Sequence, residues 1–173
     1  AGCRRLIVHA RKAWLQGLSP KQNREVPPLD YPRVYRLKRD FPEMTVIING
    51  GLQDLETAAA QLDHVDGAML GRAAYQNPYM LAEADRRFFG DHRPPLSRAA
   101  VVAAFLPYVE AELSCGVPLK CMTRHILGLF NGKPQARLWR RHLSEEAHKP
   151  DAGPEVIEAA LRRWQAAQTQ AAA

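Results

Sequence analysis

At 173 residues the chain can bury a sizeable core but falls below the roughly 200 to 250 residues of a closed (β/α)8 barrel, so one domain with an appendage and a piece of something larger are both open. Its 46% hydrophobic and 24% charged residues are those of a soluble globular protein, and no apolar run is long enough to span a bilayer as a helix. The net charge of +6 is concentrated in residues 1–40 and 120–149 around a net acidic middle, which suits a face for a polyanion, although solvated helix faces explain the charge alone about equally well.

The N-terminus, AGCRRLIVHAR, has too short an apolar stretch for a secretory signal and no initiator methionine, and reads as a cut made inside a longer chain. Leu6 to His9 is the first predicted strand; Thr45 to Ile48 and Val65 to Leu70 are the second and third, each short, apolar and ended by polar or glycine residues. GLSPKQNRE is a predicted loop. Helices are expected over 30–41, with Pro32 in the first turn, over 54–62 behind an Asp54 cap, and over 77–89, with Pro78 near the start. Strand then helix, three times over, is the pattern of a parallel sheet covered by helices. DHRPPL at 91–96 breaks the rhythm, and a division near residue 93 separates residues 1–92 from an all-helical 93–173. There Ser97 caps a helix interrupted by Pro107, three further helices cover 119–130, 134–143 and 154–164, and the terminal AAQTQAAA is expected to fray. Cys3, Cys115 and Cys121 form no C-x-x-C pair, so neither a disulfide framework nor a metal site is indicated. They read as ordinary core residues in a reducing cytoplasm.

TVIINGG places Asn49, Gly50 and Gly51 where a buried parallel strand gives way to a helix, and glycine there lets the backbone approach a ligand with its N–H groups facing an anion. The next strand ends in LGRAAYQNP, where Gly71 again permits close approach and Arg72 supplies a guanidinium fork for phosphate. One such loop is turn chemistry; two on successive βα units favour a phosphate site. His9, last residue of the first strand, would project into the same mouth, where an imidazole can hydrogen-bond a cofactor.

With these residues in view, HARKAWLQGLSPKQNREVPPLDYPRVYRLKRDFP, INGG, LGRAAYQNPY and TRHILGLFNGKPQARLWRRHLSEEAHK together resemble the tRNA-dihydrouridine synthases, in particular the bacterial A-type subfamily, over nearly the whole chain. INGG and GR alone fit many flavin-dependent barrels; HARKAWL, SPKQNRE and the arginine-rich tail are more specific. The resemblance implies the C-terminal portion of an FMN-binding (β/α)8 TIM barrel, from about its sixth strand, followed by an all-helical tRNA-binding domain. It implies an enzyme that uses NADPH and FMN to reduce D-loop uridines of tRNA, at the position-20 sites, to 5,6-dihydrouridine, as a cytoplasmic monomer with no metal and no membrane attachment. His9 would then touch the flavin, while Asn49, Gly50, Gly51, Gly71 and Arg72 would hold its phosphate. Lys21 and Arg24 would meet tRNA, a role that by loop position alone would be a solvated rim.

In the tail, Arg124, Arg137, Arg140 and Arg141 fall on two predicted helices around FNGKP. Spacing sets Arg137 on one face with Arg140 and Arg141, above a core of Leu127, Phe130, Leu138 and Trp139. The cysteine acid and flavin lysine that the family uses find no match in Cys3, Cys115, Cys121, Lys12 or Lys21, so the chain alone is expected to be inactive. Two other readings stay open: an RNA-binding module without catalysis, and a small-molecule FMN-barrel oxidoreductase, against which the arginine-studded tail argues.

Overall fold

Leu6 and Val8 alternate with Arg5, Ile7 and His9, the two-residue period of a strand with two unlike faces. In the computed structural model, which describes residues 2–172, this segment is β1 (Arg5–His9), followed by β2 (Thr45–Asn49) and β3 (Gly67–Met69) in one parallel sheet of order β1-β2-β3. The register sets Leu6 beside Val46 and Val8 beside Ile48, and His9 beside Asn49, which in turn pairs with Met69. Val46 and Ile48 are fully buried in one cluster with Val34, Leu52 and Val65, so one face of the sheet is the core. On the other face Ile7 is 59% exposed and Met69 42%, in line with His9 and Asn49.

Helix α2 (Tyr31–Asp40) supplies Val34 to that core and is capped by Asp30, whose side chain accepts the Arg33 N–H. Its Lys38 is 2.9 Å from the Asp66 carboxylate, which also accepts the Val46 N–H at 2.8 Å. Both bonds hold the Asp66 carboxyl below the ordinary range and fix α2 on β2. The segment expected as a loop contains one turn of helix, α1 (Pro20–Asn23). Ser19 and Gln22 form a reciprocal capping box there and Pro20 presets the first turn, local signals strong enough to close a helix of four residues. Helix α3 (Leu55–Ala59) starts on the Asp54 cap but stops short of residue 62, because Gln61 is drawn inward to accept the Tyr35 hydroxyl at 2.6 Å.

Helix α4 (Arg72–Gln76) leads out of this first compact unit, and the described residues from Tyr75 onward form a second. The second unit contains a 3-10 helix (Pro78–Glu83), α5 (Ala84–Phe88), α6 (Arg98–Ser114), α7 (Leu119–Thr123), α8 (Ala136–Glu146) and α9 (Pro154–Ala172). The contact boundary thus precedes the division expected near residue 93. Residues 75–92 belong to the helical unit by packing. A Cβ on Gly128 would lie 2.2 Å from the Gln76 carbonyl, and the Arg98 guanidinium sits 3.6 Å over the Tyr79 ring, whose hydroxyl donates to Leu96.

The centre of the second unit is aromatic. Phe130 and Trp139 are fully buried with ring centroids 4.7 Å apart, Trp164 lies 4.4 Å from Phe130, and the Trp139 indole N–H donates to the Ile126 carbonyl at 3.0 Å. Four helix expectations change. The helix expected over 77–89 is a 3-10 helix (Pro78–Glu83) that runs into the short α5 (Ala84–Phe88). Pro107 lies inside an unbroken α6, since Val102 and Val109 on either side are buried in the core and hold the helix through it. Helix α7 ends at Thr123 and the chain reaches Phe130 through turns, the route that seats Gly128 against Gln76. The terminal segment expected to fray is helical through Ala172, and Ala173 lies outside the described residues. Trp164 and Gln168 both donate to the Pro134 carbonyl, at 3.0 and 2.9 Å, and hold α9 down. No helix among the described residues is long and apolar enough to cross a membrane.

His142 on α8 is 7% exposed. Burial, and next the Arg163 guanidinium, push its pKa below the ordinary value, outweighing Glu146, Glu145 and an interaction with the Val156 backbone. The unfolded chain therefore takes up a proton near pH 6.5 that the folded chain refuses, and stability falls as pH drops through that value. Chemical denaturation should show lower stability at about pH 5.5 than at about pH 7.5, and His142→Phe should remove most of that difference.

Candidate functional site

The parallel register delivers His9 and Asn49 to the same end of the sheet, side by side and off the core face. His9 Nδ1 lies 3.3 Å from Asn49 Oδ1. An amide oxygen only accepts, so Nδ1 is the donor of this bond and Nε2 points away from Asn49, available to a further partner. The strand hands over at once to Gly50 (φ 114°) and Gly51 (φ 73°), a region that side chains other than glycine adopt at a cost. At Gly50 a Cβ would also press on the His9 ring, 3.2 Å from its Cε1. The Tyr31 hydroxyl donates to the Gly50 carbonyl at 2.7 Å, and burial, then Tyr35, holds that phenol above its ordinary pKa, so it remains a donor. The bond anchors the carbonyl side of the turn. Among the described residues the Gly50 and Gly51 N–H groups have no hydrogen-bond partner, and paired free N–H groups in such a turn are what an anion binds.

Gly71 differs from these two. Its φ is ordinary and a Cβ would meet nothing within 4 Å, so the space beside it is open. Arg72 follows at the start of α4 with its side chain 61% exposed, and its Nη1 donates to Glu25 Oε1 at 2.9 Å. Free N–H groups, a guanidinium and an open approach are a donor set that fits a phosphate ester. They are therefore compatible with the phosphate of a nucleotide cofactor.

Lys21 and Arg24 are exposed, the first on α1 and the second at its C-terminal cap. The segment is held by Asn23, whose amide accepts the Trp14 N–H at 2.9 Å and donates to the Trp14 carbonyl at 2.8 Å. A clasp at both backbone groups gives these cations a fixed base.

In the second unit, Arg137 and Arg140 stand exposed on α8 and line a shallow groove with Lys133 and Asn131. The turn into α8 passes through Gln135 at φ 57°. Arg141 does not line this groove; its Nε donates to Glu145 at 2.7 Å, one helical turn on. Arg124 caps the end of α7 and lies outside the groove lining as well. Beneath, Trp139 and Phe130 are fully buried, and Leu127 and Leu138 partly so.

The family model described as dihydrouridine synthase matches residues 1–167. The chain belongs to the dihydrouridine synthase family. It is 59% identical to the tRNA-dihydrouridine(20/20a) synthase of Vibrio cholerae over 94% of this chain and 50% of that protein. The enzyme of the same name from Shewanella oneidensis is 58% identical over 95% of this chain and 49% of its own. That of Escherichia coli K12 is 60% identical over 92% and 46%. The chain spans about half the length of the curated relatives it matches.

Within this dihydrouridine synthase chain, sequence reasoning missed three contributors. Tyr31 anchors the glycine turn, Lys133 joins the groove and Glu25 pairs with Arg72. Only Lys133 carried a signal, as a cation in FNGKP; contacts between residues 47 apart leave none. The cysteines also need correcting, because Cys3, Cys115 and Cys121 are all exposed. Cys3 precedes β1, Cys115 is the C-terminal cap of α6 and Cys121 lies on the outer side of α7, so none reaches a core.

Gly50→Ala should destabilise the fold by about 1–3 kcal/mol in chemical denaturation, because the backbone conformation favours glycine. Gly71→Ala, with an ordinary φ and no neighbour, should leave stability within about 0.5 kcal/mol of the parent.

Proposed function

We propose that this chain forms part of an FMN-dependent tRNA-dihydrouridine synthase, which reduces D-loop uridines of tRNA at the position-20 sites to 5,6-dihydrouridine with NADPH as reductant. In this reading the first unit supplies the last strands of a (β/α)8 barrel and the second binds tRNA. The observation that carries it is the His9–Asn49 pair beside the free N–H groups of Gly50 and Gly51, on the sheet face that lacks a cover. The substrate is taken from the names of the relatives. A parallel sheet is stable when both faces are covered, and exposed Ile7 and Met69 are what closure of a barrel would bury.

When bound, FMN supplies the hydride chemistry at the uracil double bond. The chain's own residues do the holding. The Gly50 and Gly51 N–H groups and the Arg72 guanidinium take the phosphate, Gly71 admits it without a side chain in the way, and His9, oriented by Asn49, offers Nε2 to the cofactor. Lys21 and Arg24 meet the D-loop so that a uridine is turned out of its stack, while Arg137, Arg140 and Lys133 grip the phosphate backbone, with Arg124 and Arg141 further out on the same unit.

In the full-length enzyme, Arg72→Ala should lower flavin content more than His9→Ala, because a charged phosphate partner contributes more than one neutral hydrogen bond. Flavin absorbance per protein measures both, and equal content in parent and variants refutes the assignment. Gly71→Ala should lose flavin without losing stability.

The two cationic groups should fail differently. Arg137→Ala with Arg140→Ala should weaken binding of all tRNAs and reduce the slope of log affinity against log salt by about 2, the expected loss of two phosphate contacts. Lys21→Ala with Arg24→Ala should keep much of the affinity but lower turnover or move the modified uridine. An unchanged salt slope in the first pair would make the groove a solvated surface and end the tRNA reading of that unit.

A further inference from the structure

Glu25 enters neither the phosphate cradle nor the set of tRNA-facing cations, yet it touches both. Its Oε1 receives Arg72 Nη1 at 2.9 Å, from a residue 47 positions away. Its backbone is fixed from both sides, since its N–H donates to the Gln22 carbonyl of α1 at 2.9 Å and its carbonyl accepts from Arg11 Nη1 at 3.0 Å. Arg11 Nη1 also donates to the Pro27 carbonyl. Glu25 therefore ends the segment that carries Lys21 and Arg24 and holds Arg72 from that end. The pair is half exposed, with 61% and 47% of the two side chains in contact with solvent, so it contributes little to folding. What it does fix is the guanidinium. Glu25 occupies Nη1 only, and among the described residues Nε and Nη2 have no partner, which leaves one edge of the fork for two parallel bonds to a phosphate.

We propose that Glu25 is a positioning residue that ties the α1 segment to the phosphate-binding arginine, so that flavin and tRNA strengthen each other's binding. The inference rests on the assignment of Arg72 to the FMN phosphate. An ordered α1 segment presets Arg72 for the phosphate, and a phosphate on Arg72 holds Glu25, and with it the base of Lys21 and Arg24, in place. Coupling of this kind is reciprocal, so FMN must raise tRNA affinity by the factor by which tRNA raises FMN affinity. The carboxylate also has a general effect. Removing one negative charge near an anion site improves anion binding, but it does so for flavin-free and flavin-loaded enzyme alike and cancels in their ratio.

The experiment measures tRNA dissociation constants for the full-length enzyme, stripped of FMN and reloaded, in the parent, Glu25→Gln, Glu25→Asp and Arg72→Ala. In the parent, FMN should tighten tRNA binding on the order of five-fold. In Glu25→Gln the ratio should fall to near one with the salt slope unchanged, and Glu25→Asp, which keeps the charge, should restore part of it. Tryptic cleavage after Lys21 and Arg24, slowed by FMN in the parent, should become indifferent to FMN in Glu25→Gln. If Arg72→Ala weakens FMN but parent and Glu25→Gln show the same ratio and the same FMN effect on cleavage, the phosphate assignment stands and the role of Glu25 is overturned. If Arg72→Ala leaves FMN affinity unchanged, the assignment fails and the coupling falls with it.

Discussion

The register between β1 and β2 is the constraint from which the candidate site follows. Because successive side chains in a strand alternate faces, pairing Leu6 with Val46 and Val8 with Ile48 under the helices puts His9 and Asn49 together on the opposite face. A slip of one residue would bury the histidine and expose the core. The hydrophobic effect thus sets the polar geometry here, since burying Val46 and Ile48 beside Leu6 and Val8 turns His9 and Asn49 to the opposite face. Asp66, just ahead of β3, accepts the Val46 N–H while bound to Lys38, and so ties β3 and α2 to β2.

The second unit is ordered by different means. It has no sheet among its described residues, and its regularity comes from aromatic packing with every indole N–H satisfied. Between α7 and Phe130 the chain follows turns rather than a continued helix, and Gly128 on that route lies so close to the Gln76 carbonyl that no side chain would fit. The cations on α8 stand over this packed base, so their spacing is that of a rigid helix.

Much of this was legible in the residues. The three strands announced themselves by short apolar runs ending in His9, Asn49 and the Gly71 turn, and the parallel sheet followed from their alternation with helices. The glycine pair after β2 was readable because few other residues tolerate its backbone. What could not be read were the pairings that the fold alone creates. Nothing in NRE says that Glu25 will find Arg72, and nothing in DYPRV says that Tyr31 will hold the Gly50 carbonyl. Of the three arginines expected on one face, Arg137 and Arg140 share the groove while Arg141 took Glu145 as its partner, and Arg124, expected on the preceding helix, ended on a helix cap. Helical spacing predicts which residues can share a face; local acids decide which of them stay available.

The Pro134 carbonyl receives both the Trp164 indole and the Gln168 amide, from residues 30 and 34 positions further along the chain. Pro134 sits in the groove wall between Lys133 and Gln135, so the last turns of α9 act on the groove as a tether whose tension is set elsewhere. Fraying that begins at the end of the helix is not confined to it. Each turn lost there would release a donor from the wall beside Lys133, Arg137 and Arg140, so the shape of the groove depends on a helix end that contributes no residue to its lining.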